Sequence, residues 1–142
     1  MRLRLGYPDQ QAERELLEMN TERDKVEEVR QCLSTEVIAE FRRKSADVNA
    51  SDTLLDYVQR LIAFTRGKEE FHLGLSPRGS LAIMRAAKTW ALMCGRNHVV
   101  PEDVQTILPA VVEHRLRAST DEDGHTGASL VQQLLNEVDV IE

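Results

Sequence analysis

The chain reads as all-α: a small helical bundle with a short N-terminal strand or extended arm. Apolar residues recur at helical spacing along most of it, and Ser, Asp, Pro and Gly stand where helices start and stop. Aromatic residues are 4% of the sequence against 42% hydrophobic residues in all, so the core must be aliphatic and alanine-rich, as suits helix packing. Strand-like alternation is clear only at the very start.

There Met1, Leu3 and Leu5 alternate with Arg2 and Arg4, until Gly6-Tyr7-Pro8-Asp9 breaks the pattern. A lone strand cannot satisfy its own backbone, so either a short strand pairs with it or it is the last strand of a larger sheet. Gln10 to Asn20 follows as a short amphipathic helix capped by Asp9, with Ala12, Leu16, Leu17 and Met19 apolar. Thr21 to Glu28 is charge-dense and reads as a solvated face, while Val26, Val29, Cys32 and Leu33 are expected to grip the core.

Ser34 or Thr35 opens a helix whose expected buried positions are Val37, Ile38 and Phe41. Arg42, Arg43 and Lys44 fall in its last turn, where cations complement the dipole, a simpler account than a basic patch. Val48 is expected to pack in the connector. Ser51 or Asp52 caps the next helix, whose stripe is Leu54, Leu55, Val58, Leu61, Ile62 and Thr65, with Gly67 at its close. Tyr57 and Phe64 sit on the flank of that stripe, at the expected core edge. Lys68 to Leu73 reads as a charged connector.

Gly74 to Leu116 is the stretch around which the rest is organised. Ser76 is an N-cap and Pro77 fits the first helical position, where a missing N–H costs nothing. Leu81 to Cys94 is almost free of breakers, and Gly95 is a C′ residue. Ile83, Ala86, Ala87, Trp90 and Cys94 form a stripe that Leu81, Ala82, Met84, Ala91, Leu92 and Met93 widen, leaving Arg78, Arg85, Lys88 and Thr89 for the wet side. Val99 and Val100 make a brief extended step. Pro101 and Asp103 then start a helix with Val104, Ile107, Leu108, Val111 and Val112 inward, which Pro109 should kink. Ser119 to Gly127 is an acidic loop, and Ala128 to Val138 a last amphipathic helix.

Arg78 breaks a local rule. In the first turn of a helix the dipole disfavours a cation by about 0.3–1 kcal/mol. Free N–H groups and a guanidinium together suit an anion, most naturally a phosphate. The plainer alternative is a surface arginine paired with a nearby carboxylate.

Gly-Leu-Ser-Pro-Arg at 74–78, the small-residue helix after it, Gly-Arg-Asn-His-Val at 95–99, Pro-Glu-Asp-Val at 101–104 and His-Arg-Leu at 114–116 together resemble the C-terminal lid of MoxR-type AAA+ ATPases. The order and spacing of the blocks carry the resemblance, since any one alone would be weak. It implies that residues 1–9 are the end of an AAA+ core strand and an inter-domain hinge at Tyr7-Pro8, and that 10–142 is the helical lid. It implies that Arg78 is the sensor 2 arginine, reaching with the Ser76-Pro77 turn towards the phosphates of ATP, and that ATP and Mg are held by a core outside this chain. It further implies a ring, often a hexamer, that couples ATP hydrolysis to remodelling as a chaperone for von Willebrand A-type proteins. Arg85, on the same helix face as Arg78, is a second candidate for a site or subunit contact, with a plain surface arginine as the alternative. The family commonly has threonine where Val100 stands, a missing side-chain cap worth roughly 1 kcal/mol.

The remaining chemistry is mostly exclusion. A chain of 142 residues is one domain by size, and a net charge of −6 argues against nucleic acid as a partner. It contains no apolar run long enough for a bilayer and no signal-peptide pattern, so a cytoplasmic location is expected. Cys32 and Cys94 are expected to be thiols rather than a disulfide. His72, His98, His114 and His125 are scattered, so no metal site is readable. No catalytic residue can be singled out, and without a G-x-x-x-x-G-K-[ST] loop the chain alone is expected not to hydrolyse ATP. A freestanding helical module whose grooves recognise a partner helix stays open as a second reading. A helix-turn-helix DNA binder fits the short helices but not the acidic charge.

Overall fold

The computed structural model describes residues 1–3, 5–18, 29–68, 71–118 and 127–140. Its helices are α1 (Gln10–Glu18), α2 (Thr35–Ala46), α3 (Asp52–Gly67), α4 (Pro77–Met93), α5 (Pro101–Val112) and α6 (Gly127–Glu137). Two short strands, β1 (Phe71–Leu73) and β2 (Arg117–Ala118), pair antiparallel. The fold is an all-α, lid-like bundle as expected, with one addition: the supposed connector before Gly74 contains β1. Strands this short carry no readable period.

Caps form where the side chains can make them. Ser34, Ser51 and Ser76 accept from the N–H groups of Val37, Leu54 and Gly79, and Asp9 accepts from Ala12. Gly95 has φ +76° and closes α4, its N–H donating to Leu92 O while the Arg96 N–H donates to Ala91 O. The connectors before α3 and α5 are stitched together: Asn49 N–H donates to Asn97 O and Val99 N–H to Asn49 O, each at 2.9 Å.

The core lies between α3, α4, α5 and α6. Leu54, Val58, Leu61 and Ile62 meet the inner face of α5, and Leu130, Val131 and Leu134 close the far side. The expected inward residues of α5 are all buried, and the helix runs on through Pro109 to Val112. α4 packs chiefly on α5 through Gly79, Ile83, Ala87 and Ala91, a row at four-residue spacing. Small side chains in such a row let the helix backbones approach closely.

Several apolar expectations fail. Val37, Ile38 and Phe41 are 47%, 42% and 40% exposed, because α2 meets α4 through its C-terminal end, where buried Ser45 hydrogen-bonds to Thr89 at 2.8 Å. Leu55 is also exposed, whereas Tyr57 is wholly buried rather than at the core edge. The stripe on α4 is narrower than the sequence implied: Leu81, Trp90, Met93 and Cys94 all face outward. α1 buries no residue, and of the arm residues expected to grip the core the described ones, Val29, Cys32 and Leu33, are exposed. Met19, the charged stretch 21–28 with Val26, and the acidic loop at 119–126 lie outside the described residues.

The opening residues form no strand among those described. Arg2 N–H donates to Ala110 O at 2.7 Å, laying the N-terminal segment along α5. Leu3, Leu5 and Tyr7 remain exposed, and Gly6 turns the chain with φ +75°. Cys32 and Cys94 are free thiols, and no described helix is long and apolar enough to cross a membrane.

Candidate functional site

The site is built on the turn from Gly74 to Arg78. Leu75 is buried and anchors the turn by its side chain, while both of its backbone polar groups are taken up by α3. Its N–H donates to Thr65 Oγ1 at 3.1 Å, and its carbonyl accepts from Arg66 Nε at 3.0 Å and Nη2 at 2.8 Å. A Cβ on Gly74 would lie 2.6 Å from the Thr65 carbonyl oxygen, so only glycine permits this approach of the two segments. Ser76 then caps α4, Pro77 takes the first helical position, and Arg78 follows in the first turn.

Arg78 is exposed, and among the described residues no carboxylate pairs with it. The paired-surface-arginine alternative therefore has no acid to name among the described residues. Arg78 lines a broad open groove whose wall continues along α4 through Leu81, Arg85 and Trp90. The opposite wall includes Met1 and Leu3 of the N-terminal segment and Arg115 beyond α5. Arg85, two turns from Arg78 at about 10 Å of helix rise, shares this groove. Tyr7, fully exposed, does not line it. His114 is held below the usual imidazole range by desolvation, foremost, and by the cationic Arg115 and Arg2, which lie at this end of the molecule.

The Gly-Arg-Asn-His-Val and Pro-Glu-Asp-Val blocks have a structural task. Arg96 forks onto the buried Asp103 carboxylate, with Nη1 to Oδ2 at 2.6 Å, and the Val100 N–H donates to the same carboxylate at 2.9 Å. Asp103 thus makes the reciprocal half of a capping box, satisfying the Val100 N–H, while the half a threonine hydroxyl would make is absent. The Arg96 guanidinium, foremost, and the Val100 N–H hold the Asp103 carboxyl below the ordinary carboxylate range.

Among the described residues no three His, Cys, Asp or Glu side chains gather as metal ligands. What the site offers is one exposed cation at a helix N-terminus, Arg85 further along the same helix, Arg115 across the groove, and apolar surface between them. Thr65, Arg66 and Gly74 were not foreseen from the sequence as parts of it. Arg66 in a last helical turn looks like ordinary dipole complement, and its reach to Leu75 has no periodic signature.

The sequence family described as AAA lid domain matches residues 63–134, just over half of the chain. The chain belongs to the AAA lid domain family. Chaperone MoxR1 of Mycobacterium tuberculosis is 33% identical over 84% of the chain, and the uncharacterized protein YeaC of Bacillus subtilis is 29% identical over 98%. With the motif blocks, the likeness to MoxR1 makes this lid one of the MoxR type. The crystal structure of a Cytophaga hutchinsonii protein assigned as an ATPase superposes on the lid with TM-score 0.78 over 97% of its length, at 21% identity, so the fold is shared. The lid spans only 34% of MoxR1, 44% of YeaC and 45% of the crystallised chain.

Proposed function

We propose that this lid serves an AAA+ ATPase by extending Arg78, as a sensor 2 arginine, to the phosphates of ATP bound on a nucleotide-binding core. The observation that carries the reading is an exposed guanidinium in the first turn of α4 with no carboxylate partner among the described residues. Its position beside the N–H groups of that turn fits a phosphate, and among the described residues no acidic cluster offers ligands for Mg. ATP and Mg would therefore both be held by the core, which supplies the hydrolytic chemistry. The lid's own part is to orient Arg78, and the groove along Leu81, Arg85 and Trp90 is the face on which a core would seat.

Residues 1–9 act in this reading as the end of the core strand and a hinge at Tyr7-Pro8, with 10–142 as the moving lid. Exposed Leu3, Leu5 and Tyr7 support it, as does the positive φ of Gly6. The family resemblance carries the assembly: a cytoplasmic ring, often a hexamer, coupling ATP hydrolysis to chaperone-like remodelling of von Willebrand A-type proteins. In the ATPase that carries this lid, Arg78→Ala is expected to lower kcat/KM for ATP roughly tenfold or more, the worth of one charged hydrogen bond. Wild-type turnover by that variant overturns the assignment.

The half-exposed Val37, Ile38 and Phe41 on α2 favour a second reading, a helical interaction module with no nucleotide role. It predicts that Arg78→Ala leaves every nucleotide-linked property unchanged.

A further inference from the structure

We infer that Thr65 and Arg66, in the last turn of α3, are positioning residues that aim Arg78. The inference rests on the proposed contact between Arg78 and the ATP phosphates.

Leu75 stands three residues before Arg78, and α3 holds it at both ends of its backbone. The Leu75 N–H is buried and donates to Thr65 Oγ1, whose hydroxyl in turn donates to Ile62 O at 2.8 Å. The hydroxyl is thus used as acceptor and donor at once, with its rotor fixed by the α3 backbone. The Leu75 carbonyl precedes the N-cap and so lies outside the ladder of α4. The Arg66 fork gives it two donors and fixes the plane of the peptide that leads into Ser76. Gly74 closes the arrangement, since a Cβ there would lie 2.7 Å from Arg66 Cγ and 2.6 Å from Thr65 O.

The leverage of this clamp comes from how α4 is otherwise held. It packs on α5 and on α2, and α3 does not pack broadly against it. The row Gly79, Ile83, Ala87 and Ala91 fixes the axis of α4 and reaches the first turn only at Gly79, which has no side chain of its own to hold that turn, while Arg78 is exposed. What sets that turn is the Ser76 cap and, just before it, the grip of Thr65 and Arg66 on Leu75. A displacement there of about 1 Å, the scale on which positioning errors cost rate, would pass directly to the guanidinium. The Nε and Nη2 donors of Arg66 go to Leu75 O, and the contact assigned to Arg66 is this backbone carbonyl rather than the nucleotide.

The test uses the complete ATPase carrying this lid, with ATP turnover and thermal unfolding measured on each variant. Arg66→Ala and Thr65→Val are expected to lower kcat/KM for ATP about tenfold, as Arg78→Ala does, with Thr65→Ser restoring turnover. In the Arg78→Ala background Arg66→Ala is expected to remove nothing more, because there is no longer a guanidinium to aim. Should Arg66→Ala not fold, Arg66→Lys keeps the charge and stem without the fork and is expected to give the same loss. Wild-type turnover by Arg66→Ala or Arg66→Lys beside an impaired Arg78→Ala overturns the inference and leaves the Arg78 reading standing. An equal further loss in the Arg78→Ala background marks Arg66 as a general stabiliser and also overturns it. Wild-type turnover by Arg78→Ala overturns the reading beneath both.

Discussion

The Arg96 guanidinium grips the buried Asp103 carboxylate with both terminal nitrogens, joining the turn after α4 to the first turn of α5. These are the two helices whose packing dominates the lid, and Asp103 also accepts from the Val100 N–H at the start of α5. The pair therefore sets the angle at which one helix hands over to the next. Asp103→Asn weakens the charged hydrogen bonds and is expected to lower stability by about 2 kcal/mol. For a domain of this size that corresponds to a fall of roughly 5 °C in Tm, read by calorimetry. Arg78→Ala, which breaks no hydrogen bond or ion pair among the described residues, is expected to leave Tm unchanged.

The same carboxylate gives the lid an acid limit. Its folded-state pKa lies below the ordinary 3.8, with Arg96 the leading cause, so the unfolded chain takes up the proton first. The contribution is fully present above pH 3.8 and is lost as the pH falls below it towards the folded value. Urea unfolding followed from pH 7 to pH 3 should show the loss, with a smaller pH slope in Asp103→Asn. An identical slope in the two proteins would exclude Asp103 as a source of the acid sensitivity.

Packing of α4 on α5 depends on small side chains. Ala87 is fully buried, and replacing it with leucine forces the helices apart at an expected cost of about 1–3 kcal/mol. On the other side of α4, Leu81 and Met93 are 57% and 65% exposed. Leu81→Ser and Met93→Ser should each change stability by less than about 0.5 kcal/mol while reducing ATP turnover of the complete ATPase. A marked drop in Tm for either would show that the face belongs to the lid's own core.

That contrast separates what could be read in the sequence from what could not. Caps at Ser51 and Ser76, prolines at 77 and 101 and the Gly95 terminator act within a turn of themselves, so local chemistry located them. The inner faces of α5 and α6 were legible because both are packed as their periodicity implies. Periodicity shows that a face is apolar but not what covers it. Val37, Ile38 and Phe41, and Leu81, Trp90 and Met93, therefore looked like core and are surface in this chain. Within the site, Arg78 was visible because a cation in a first helical turn is out of place. Thr65, Arg66 and Gly74 were not, because their roles depend on contacts nine or ten residues away with no repeating pattern.

Nucleotide affinity tests the central claim most directly, because it asks whether Arg78 meets the phosphates without depending on later steps of turnover. In the complete ATPase, a titration with a non-hydrolysable ATP analogue should give a Kd about tenfold or more weaker for Arg78→Ala than for wild type, with equal Tm in the absence of nucleotide. Equal affinity in the two proteins would contradict the account.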